Sequence, residues 1–136
     1  MNKNKFLQLL ESKKVLLADG ATGTNLHKMG LKPGIPTEDL VFDQPGLLLE
    51  LATSFVKAGA DIILTCTDGG TRVRMKESKY VDRVAEVNTR AAELARQAAM
   101  SGEDVLVAGS MGPTGQIMKP YGPLDPEEAQ AAFKEQ

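Results

Sequence analysis

Three apolar stretches each run into a loop of small and hydroxyl-bearing residues, and those loops hold the side chains best suited to chemistry. The first ends in Asp19-Gly20-Ala21-Thr22-Gly23-Thr24, the second in Thr65-Cys66-Thr67-Asp68-Gly69-Gly70, and the third in Ser110-Met111-Gly112-Pro113-Thr114-Gly115. Asp19 reads in two ways: as a turn-former, since Asp-Gly is common turn chemistry, or as a carboxylate at the end of a strand that holds a cationic ligand group. The Gly20–Thr24 loop lacks the Gly-Lys-Ser/Thr ending of a phosphate-binding loop, and its glycines do not follow G-x-G-x-x-G. Small residues that let a ligand reach the backbone account for it better. Gly112-Pro113-Thr114-Gly115 is turn chemistry that can also offer backbone N–H groups to a carboxylate.

Cys66 and His27 are the only soft metal ligands in the chain. Two such residues cannot form a zinc site, which takes three or four, so no metal ligand is assigned. Cys66 could be a nucleophile, but with one histidine and no visible base partner a small buried residue is the better reading.

The elements that must position these loops follow from periodicity. Phe6, Leu9 and Leu10 recur at helical spacing and predict a leading helix over residues 2–12. Val15 to Ala18 reads as a buried strand, Thr24 to Met29 as a short helical turn ended by Gly30, and the Pro- and Gly-rich residues 30–46 as loop. Leu48, Leu51, Ala52, Phe55 and Val56 form the stripe of a helix from Leu47 to Ala58, capped at Gly59. Asp61–Thr65 is a continuous apolar run, as expected of a strand covered on both faces. Val84, Val87, Ala91, Leu94, Ala95 and Ala98 mark one face of a helix from Val81 to Met100, ended by Ser101-Gly102, and Val105–Ala108 is the third strand. Asp125 as N-cap, Pro126 at the first position and Glu128 three residues after the cap announce a last helix whose apolar face begins with Ala129, Ala132 and Phe133. No stop signal follows before Gln136, so a helix cut short is expected there. Alternating strands and helices predict an α/β fold of parallel βα units, with function at the carboxyl ends of the strands. The strands lie about forty-five residues apart, against roughly thirty for a minimal unit, so the loops are enlarged.

Composition narrows the function. The chain has 136 residues, enough for one domain, and sixteen basic against eighteen acidic residues give a net charge of −2. That balance argues against a nucleic-acid partner, and the short cluster Arg72–Lys76, interrupted by Val73 and Met75, reads as a solvated helix face. No apolar run approaches the roughly twenty residues that span a bilayer, and no secretory signal follows the amino-terminal lysines. A single cysteine excludes an internal disulfide and fits a cytoplasmic protein.

Taken together, LLADGATGT, AGADIILTCT with the GGTR that follows, and VLVAGSMGPTG with its later YGPL closely resemble the homocysteine S-methyltransferase family, in order and spacing over nearly the whole chain. That family includes the homocysteine-binding module of cobalamin-dependent methionine synthase and the betaine–homocysteine methyltransferases. The resemblance implies a (β/α)8 TIM barrel of which residues 1–136 are a single partial domain, about the first three strands. It implies homocysteine as substrate, and Asp19, Gly20, Ala21, Thr65, Cys66, Thr67 and Gly112 as the residues that face it. It implies zinc in the complete domain, held by three cysteines of later strands with no counterpart here, which presents homocysteine as a thiolate that attacks an activated methyl group and gives methionine. The implied donor is methylcobalamin, a methylated amine or a sulfonium compound, with corrinoid or folate domains as further partners. Position 68 departs from the pattern: Asp68 stands where the family usually has an aromatic, and its charge would repel the carboxylate of the amino acid. The chain alone is expected to be inactive and, with sheet edges and an apolar face left open, to self-associate as a homo-oligomer. Two other readings stay open: a non-catalytic self-associating α/β fragment, and a nucleotide-binding α/β enzyme.

Overall fold

Ile63 is fully buried, and the elements that bury it define the architecture. The computed structural model describes residues 3–136. Its helices are α1 (Lys3–Lys13), α2 (Thr22–Lys28), α3 (Leu40–Asp43), α4 (Pro45–Lys57), α5 (Val84–Ala99) and α6 (Pro126–Glu135), and its strands are β1 (Ile62–Leu64) and β2 (Leu106–Ala108). β1 and β2 pair in parallel, Ile62 opposite Leu106 and Leu64 opposite Ala108. The 41 residues between them include α5, whose apolar stripe packs on α4 and on the sheet. This is the α/β arrangement that the alternating pattern predicts.

Val15–Ala18 departs from the expected buried strand. Only Ala18 bridges to Ile62, in parallel, while Val15 and Leu17 are 67% and 59% exposed. Side chains take the place of the ladder at both ends of this edge. The Leu17 N–H donates to Asp61 Oδ2 at 2.9 Å, and the Leu64 N–H donates to Asp19 Oδ2 at 3.0 Å. The Leu17 carbonyl accepts from both Asp61 and Ile62 N–H. Nor is β1 covered on both faces as its apolar run suggests. Helices bury Ile63 from one side, while Leu64 is 40% exposed on the other.

The Pro- and Gly-rich stretch is likewise more than loop. It holds a 3-10 turn over Thr37–Asp39 and then α3, and Leu40 and Val41 enter the main core beside Leu48, Leu51, Val87 and Leu94. Val81–Arg83 forms a 3-10 turn ahead of α5. The basic cluster is also a 3-10 turn, Arg74–Glu77, with Val73 and Met75 buried beneath it. Asp125 does precede α6 in extended conformation, but its carboxylate pairs with Lys119 at 2.8 Å and caps no backbone N–H, so the expected capping box does not form. Among the described residues no helix is long and apolar enough to cross a membrane.

Candidate functional site

The carboxyl ends of β1 and β2 are tied together by a closed ring of hydrogen bonds. The Ser110 N–H donates to Thr65 Oγ1 at 3.0 Å, the Thr65 and Thr67 hydroxyls lie 2.6 Å apart, and Thr67 Oγ1 donates to the Ser110 carbonyl at 2.8 Å. A hydroxyl has a single proton. That of Thr67 goes to Ser110, so Thr65 is the donor to Thr67, and every link points the same way around the ring. Such a chain polarises cooperatively and fixes both loops in register. Thr65 and Thr67 are both buried.

Asp19 is held on the other side of β1. Its backbone N–H donates to the Ile62 carbonyl at 2.9 Å, and its Oδ2 accepts from Leu64. Oδ1 is buried with no hydrogen-bond partner among the described residues. Burial raises the carboxyl pKa above the usual range, and the Leu64 N–H offsets only part of the rise. A carboxylate with one spare oxygen in this setting would be stabilised by a donor that carries positive charge. Gly20 passes over Phe55, whose ring would lie 3.4 Å from an added Cβ, and Ala21 stands at the uncapped start of α2.

Cys66 turns its thiol toward the Thr37 carbonyl, at 3.7 Å. Burial first, then the Glu38 carboxylate and Asp68, push its pKa up to about 12, against a weaker opposing effect of the Thr37 contact. At neutral pH this favours the thiol, the less nucleophilic form. Gly112 donates its N–H to the Asp68 carbonyl at 3.0 Å, and a Cβ there would lie 2.5 Å from the Asp68 carbonyl oxygen and carboxylate. Only glycine allows that approach.

Of the residues singled out from the sequence, Thr65 and Cys66 share a hollow of about 380 Å³ with Thr22, Gly23, Thr37, Leu64, Asp68 and Ser110. Asp19 lines an adjoining, water-sized hollow that shares Thr22, Leu64 and Cys66 with it. Gly112 is joined to this wall through Asp68. Gly20 and Ala21 are exposed, and Thr67 spends its hydroxyl in the ring.

Sequence reasoning missed four residues. Glu38, 6% exposed, accepts the Gly69 N–H at 2.7 Å and the Thr37 hydroxyl at 3.1 Å. Asn88 Nδ2 donates to the Gly70 carbonyl at 2.8 Å, and Gln136 Nε2 donates to the Thr67 carbonyl at 2.7 Å and the Ser110 carbonyl at 3.3 Å. Gly70 fits between these two carboxamides, where an added Cβ would lie 2.5 Å from Asn88 Oδ1. The fourth, Arg74, which sequence reasoning placed on the solvated face of the Arg72–Lys76 cluster, lays its side chain across Gly69 and Gly115. Asn88 did carry a signal: it is polar, yet four residues after Val84 it falls on the buried stripe of α5.

The residues present do not fit a zinc centre. His27 Nδ1 donates to the Leu31 carbonyl at 2.8 Å, Cys66 is committed as above, and no group of three or more His, Cys, Asp or Glu among the described residues is arranged to hold a metal ion.

Residues 16–136 match the family model described as Homocysteine S-methyltransferase. The chain belongs to the homocysteine S-methyltransferase family. It is 36% identical over 110 residues to the S-methylmethionine–homocysteine S-methyltransferase BHMT2 of Pongo abelii, a match that covers 80% of this chain and 29% of that protein. It is 31% identical over 117 residues to betaine–homocysteine S-methyltransferase 1 of Bos taurus, covering 82% of this chain and 28% of the relative. The structure is similar to that of the homocysteine methyltransferase MmuM from Escherichia coli in its metallated form, with a TM-score of 0.73 and 27% identity, over 82% of this chain and 42% of that one. The chain thus spans about three-tenths of the length of these sequence relatives.

Proposed function

We propose that this chain is the homocysteine-binding first part of a (β/α)8 methyltransferase barrel, residues 1–136 forming a single partial domain of about three βα units. The observation that carries this reading is the buried, unpartnered Oδ1 of Asp19, which lines the water-sized hollow adjoining the Thr65–Cys66–Ser110 one, in a chain of this family. In the reading, Asp19 Oδ1 takes the ammonium of homocysteine, the Gly20-Ala21 backbone and Gly112 face its polar end, and Thr65 and Cys66 line the wall that its side chain passes. Thr67 acts from behind that wall, through the ring that holds Thr65 and Ser110.

Zinc in the complete family domain supplies the thiolate form of homocysteine. The ligands for it are not among these residues, and no step at the sulfur is assigned to this chain. Its own work is to bind and orient the amino acid, and it is inactive alone. The names of the relatives point to S-methylmethionine and betaine as donors, both onium carboxylates, which favours that class over corrinoid or folate carriers. The open side of the sheet, with Val15, Leu17 and Leu64 exposed, favours self-association. The single thiol fits a cytoplasmic setting.

The test is methyl transfer. Chain supplied with homocysteine and, in turn, methylcobalamin, betaine and S-methylmethionine yields no methionine above the protein-free background. Methionine formed above it, and abolished by Asp19→Asn, overturns the statement that the chain is inactive alone.

A further inference from the structure

Gln136 follows α6 as its C-terminal cap, with its backbone N–H on the Ala132 carbonyl at 3.2 Å. Its side chain ties together two loops that lie 69 and 26 residues back along the chain. Nε2 donates to the Thr67 carbonyl, after β1, at 2.7 Å and to the Ser110 carbonyl, after β2, at 3.3 Å. One nitrogen thus uses both of its hydrogens as a bridge. The two carbonyls are then fully engaged, since Thr67 also accepts the Gly70 N–H at 2.9 Å and Ser110 the Thr67 hydroxyl at 2.8 Å. The opposite orientation of the carboxamide would set Oε1 against two carbonyl oxygens, so the neighbours fix its donor end. Oε1 is buried with no hydrogen-bond partner among the described residues, as is Asn88 Oδ1 beyond Gly70. An unpaired buried acceptor opposes folding, so the donor end is what Gln136 contributes.

We infer that Gln136 is a positioning residue of the Thr65–Cys66–Ser110 hollow, and that its carboxamide sets the direction of the peptides that follow Thr67 and Ser110. The inference rests on the homocysteine reading for the ligand, and on nothing in that reading for the bridge itself. Thr67 stands between Cys66 and Asp68, which line the hollow together with Ser110. In a trans peptide the C=O and the following N–H point in opposite directions, and neither of these two bonds is cis. Holding both carbonyls on Gln136 therefore turns the Asp68 and Met111 N–H groups away from the bridge. Among the described residues neither N–H has an acceptor. The hydroxyl ring cannot do this alone, because it reaches the Ser110 carbonyl and not that of Thr67. Without the bridge, the Thr67 carbonyl keeps only the Gly70 N–H of its own loop.

The test is an amide NMR titration of the labelled chain and of Gln136→Glu, Gln136→Ala and Glu135→Gln, first with pH alone and then with homocysteine. In Gln136→Glu a carboxyl faces the two carbonyls. Ionised it repels both, protonated it donates one hydrogen bond, and burial beside carbonyl oxygens raises its pKa. Without ligand, the Asp68 and Met111 amides of this variant are expected to shift together with one midpoint above the ordinary glutamate range, a transition that the parent lacks. With homocysteine, Gln136→Ala binds roughly tenfold more weakly than the parent. Gln136→Glu is as weak at high pH and approaches the parent as pH falls through that midpoint, a recovery that simple loosening of α6 does not give. Glu135→Gln serves as the control: Glu135 grips Arg72 at 2.6 and 3.0 Å from the same helix end and touches neither carbonyl. Its amides and affinity stay close to those of the parent. Asp68 and Met111 amides that ignore the titration of Gln136→Glu overturn the inference, as does a Gln136→Ala variant that binds like the parent or a Glu135→Gln variant that reproduces its loss. If the ligand-free transition appears and the parent takes no homocysteine, the homocysteine reading falls and the positioning of the two loops stands.

Discussion

Asp19 is held against its own stability. A carboxyl whose folded pKa is raised is favoured in its protonated form, so its contribution to stability is complete below the ordinary value of 3.8 and is lost as pH rises through the higher folded value. At neutral pH the ionised side chain is a net cost in the absence of a cationic partner. Asp19→Asn keeps an oxygen for the Leu64 N–H and removes that cost. The variant is expected to be at least as stable as the parent at pH 7, with the difference vanishing below about pH 4, as read by chemical denaturation at both pH values. A residue that destabilises the fold while bordering a hollow fits a binding role better than a structural one. Thr67 is the opposite case. Thr67→Val opens the hydroxyl ring and leaves a buried Thr65 proton unpaired, which costs about 1–3 kcal/mol, whereas Thr67→Ser keeps the ring and most of the stability. Burial pushes the Cys66 thiol up to about 12, so that it is protonated at pH 8. Alkylation by iodoacetamide therefore tracks unfolding and accelerates when urea is added. Fast labelling of the native chain at pH 8 would contradict the packing described for Cys66.

At the scale of elements, the amino-terminal edge depends on Asp61. Its Oδ1 pairs with Lys13 of α1 at 2.5 Å and its Oδ2 accepts the Leu17 N–H, and these bonds, Lys13 first, hold its carboxyl below the usual range. The sign is the reverse of that for Asp19: the contribution is present above pH 3.8 and is lost as pH falls through the lower folded value. Acidification below about pH 4 is expected to loosen α1 and the Leu17–Asp19 edge before the α4–α5 core, and Asp61→Asn to show this loosening already at pH 7. Amide hydrogen exchange at Leu17 compared with Leu94 measures it. Early exchange in the α4–α5 core instead would contradict this order. The same residues explain which elements were legible in the sequence. α4 and α5 carry long stripes, Leu48 to Val56 and Val84 to Ala98, and both helices form close to their expected bounds. Val15–Ala18 departs from its strand-like pattern because Asp61 and Asp19, which look like strand-end polar residues, replace its ladder bonds with their own carboxylates. α3 is only four residues long, too short for Leu40 and Val41 to show a period among prolines and glycines. For the candidate site, the order of the three loops was legible. The carboxamide clamp on Gly70 was not, because it joins Asn88 and Gln136 across distant parts of the chain.

For the whole molecule, the open side of the two-stranded sheet decides behaviour in solution. β2 has β1 on one edge only, and Val15, Leu17, Leu64, Met111, Ile117 and Met118 are all exposed. Unpaired strand edges beside uncovered apolar side chains favour association with like surfaces. Light scattering coupled to size exclusion is expected to give a mass above that of the 14.6 kDa chain at micromolar concentration, and a monodisperse monomer would contradict it. The central claim is that the hollow at the carboxyl ends of β1 and β2 receives homocysteine, and residue-resolved amide NMR of the labelled chain during a homocysteine titration tests it most directly. Saturable shifts at Ala21, Cys66, Ser110 and Gly112, of weak affinity on the order of millimolar and lost in Asp19→Asn while the amides of Arg90 and Gln97, which lie on α5 and line neither hollow, stay still, are the predicted result. Shifts absent from these residues, or unchanged by Asp19→Asn, would contradict it.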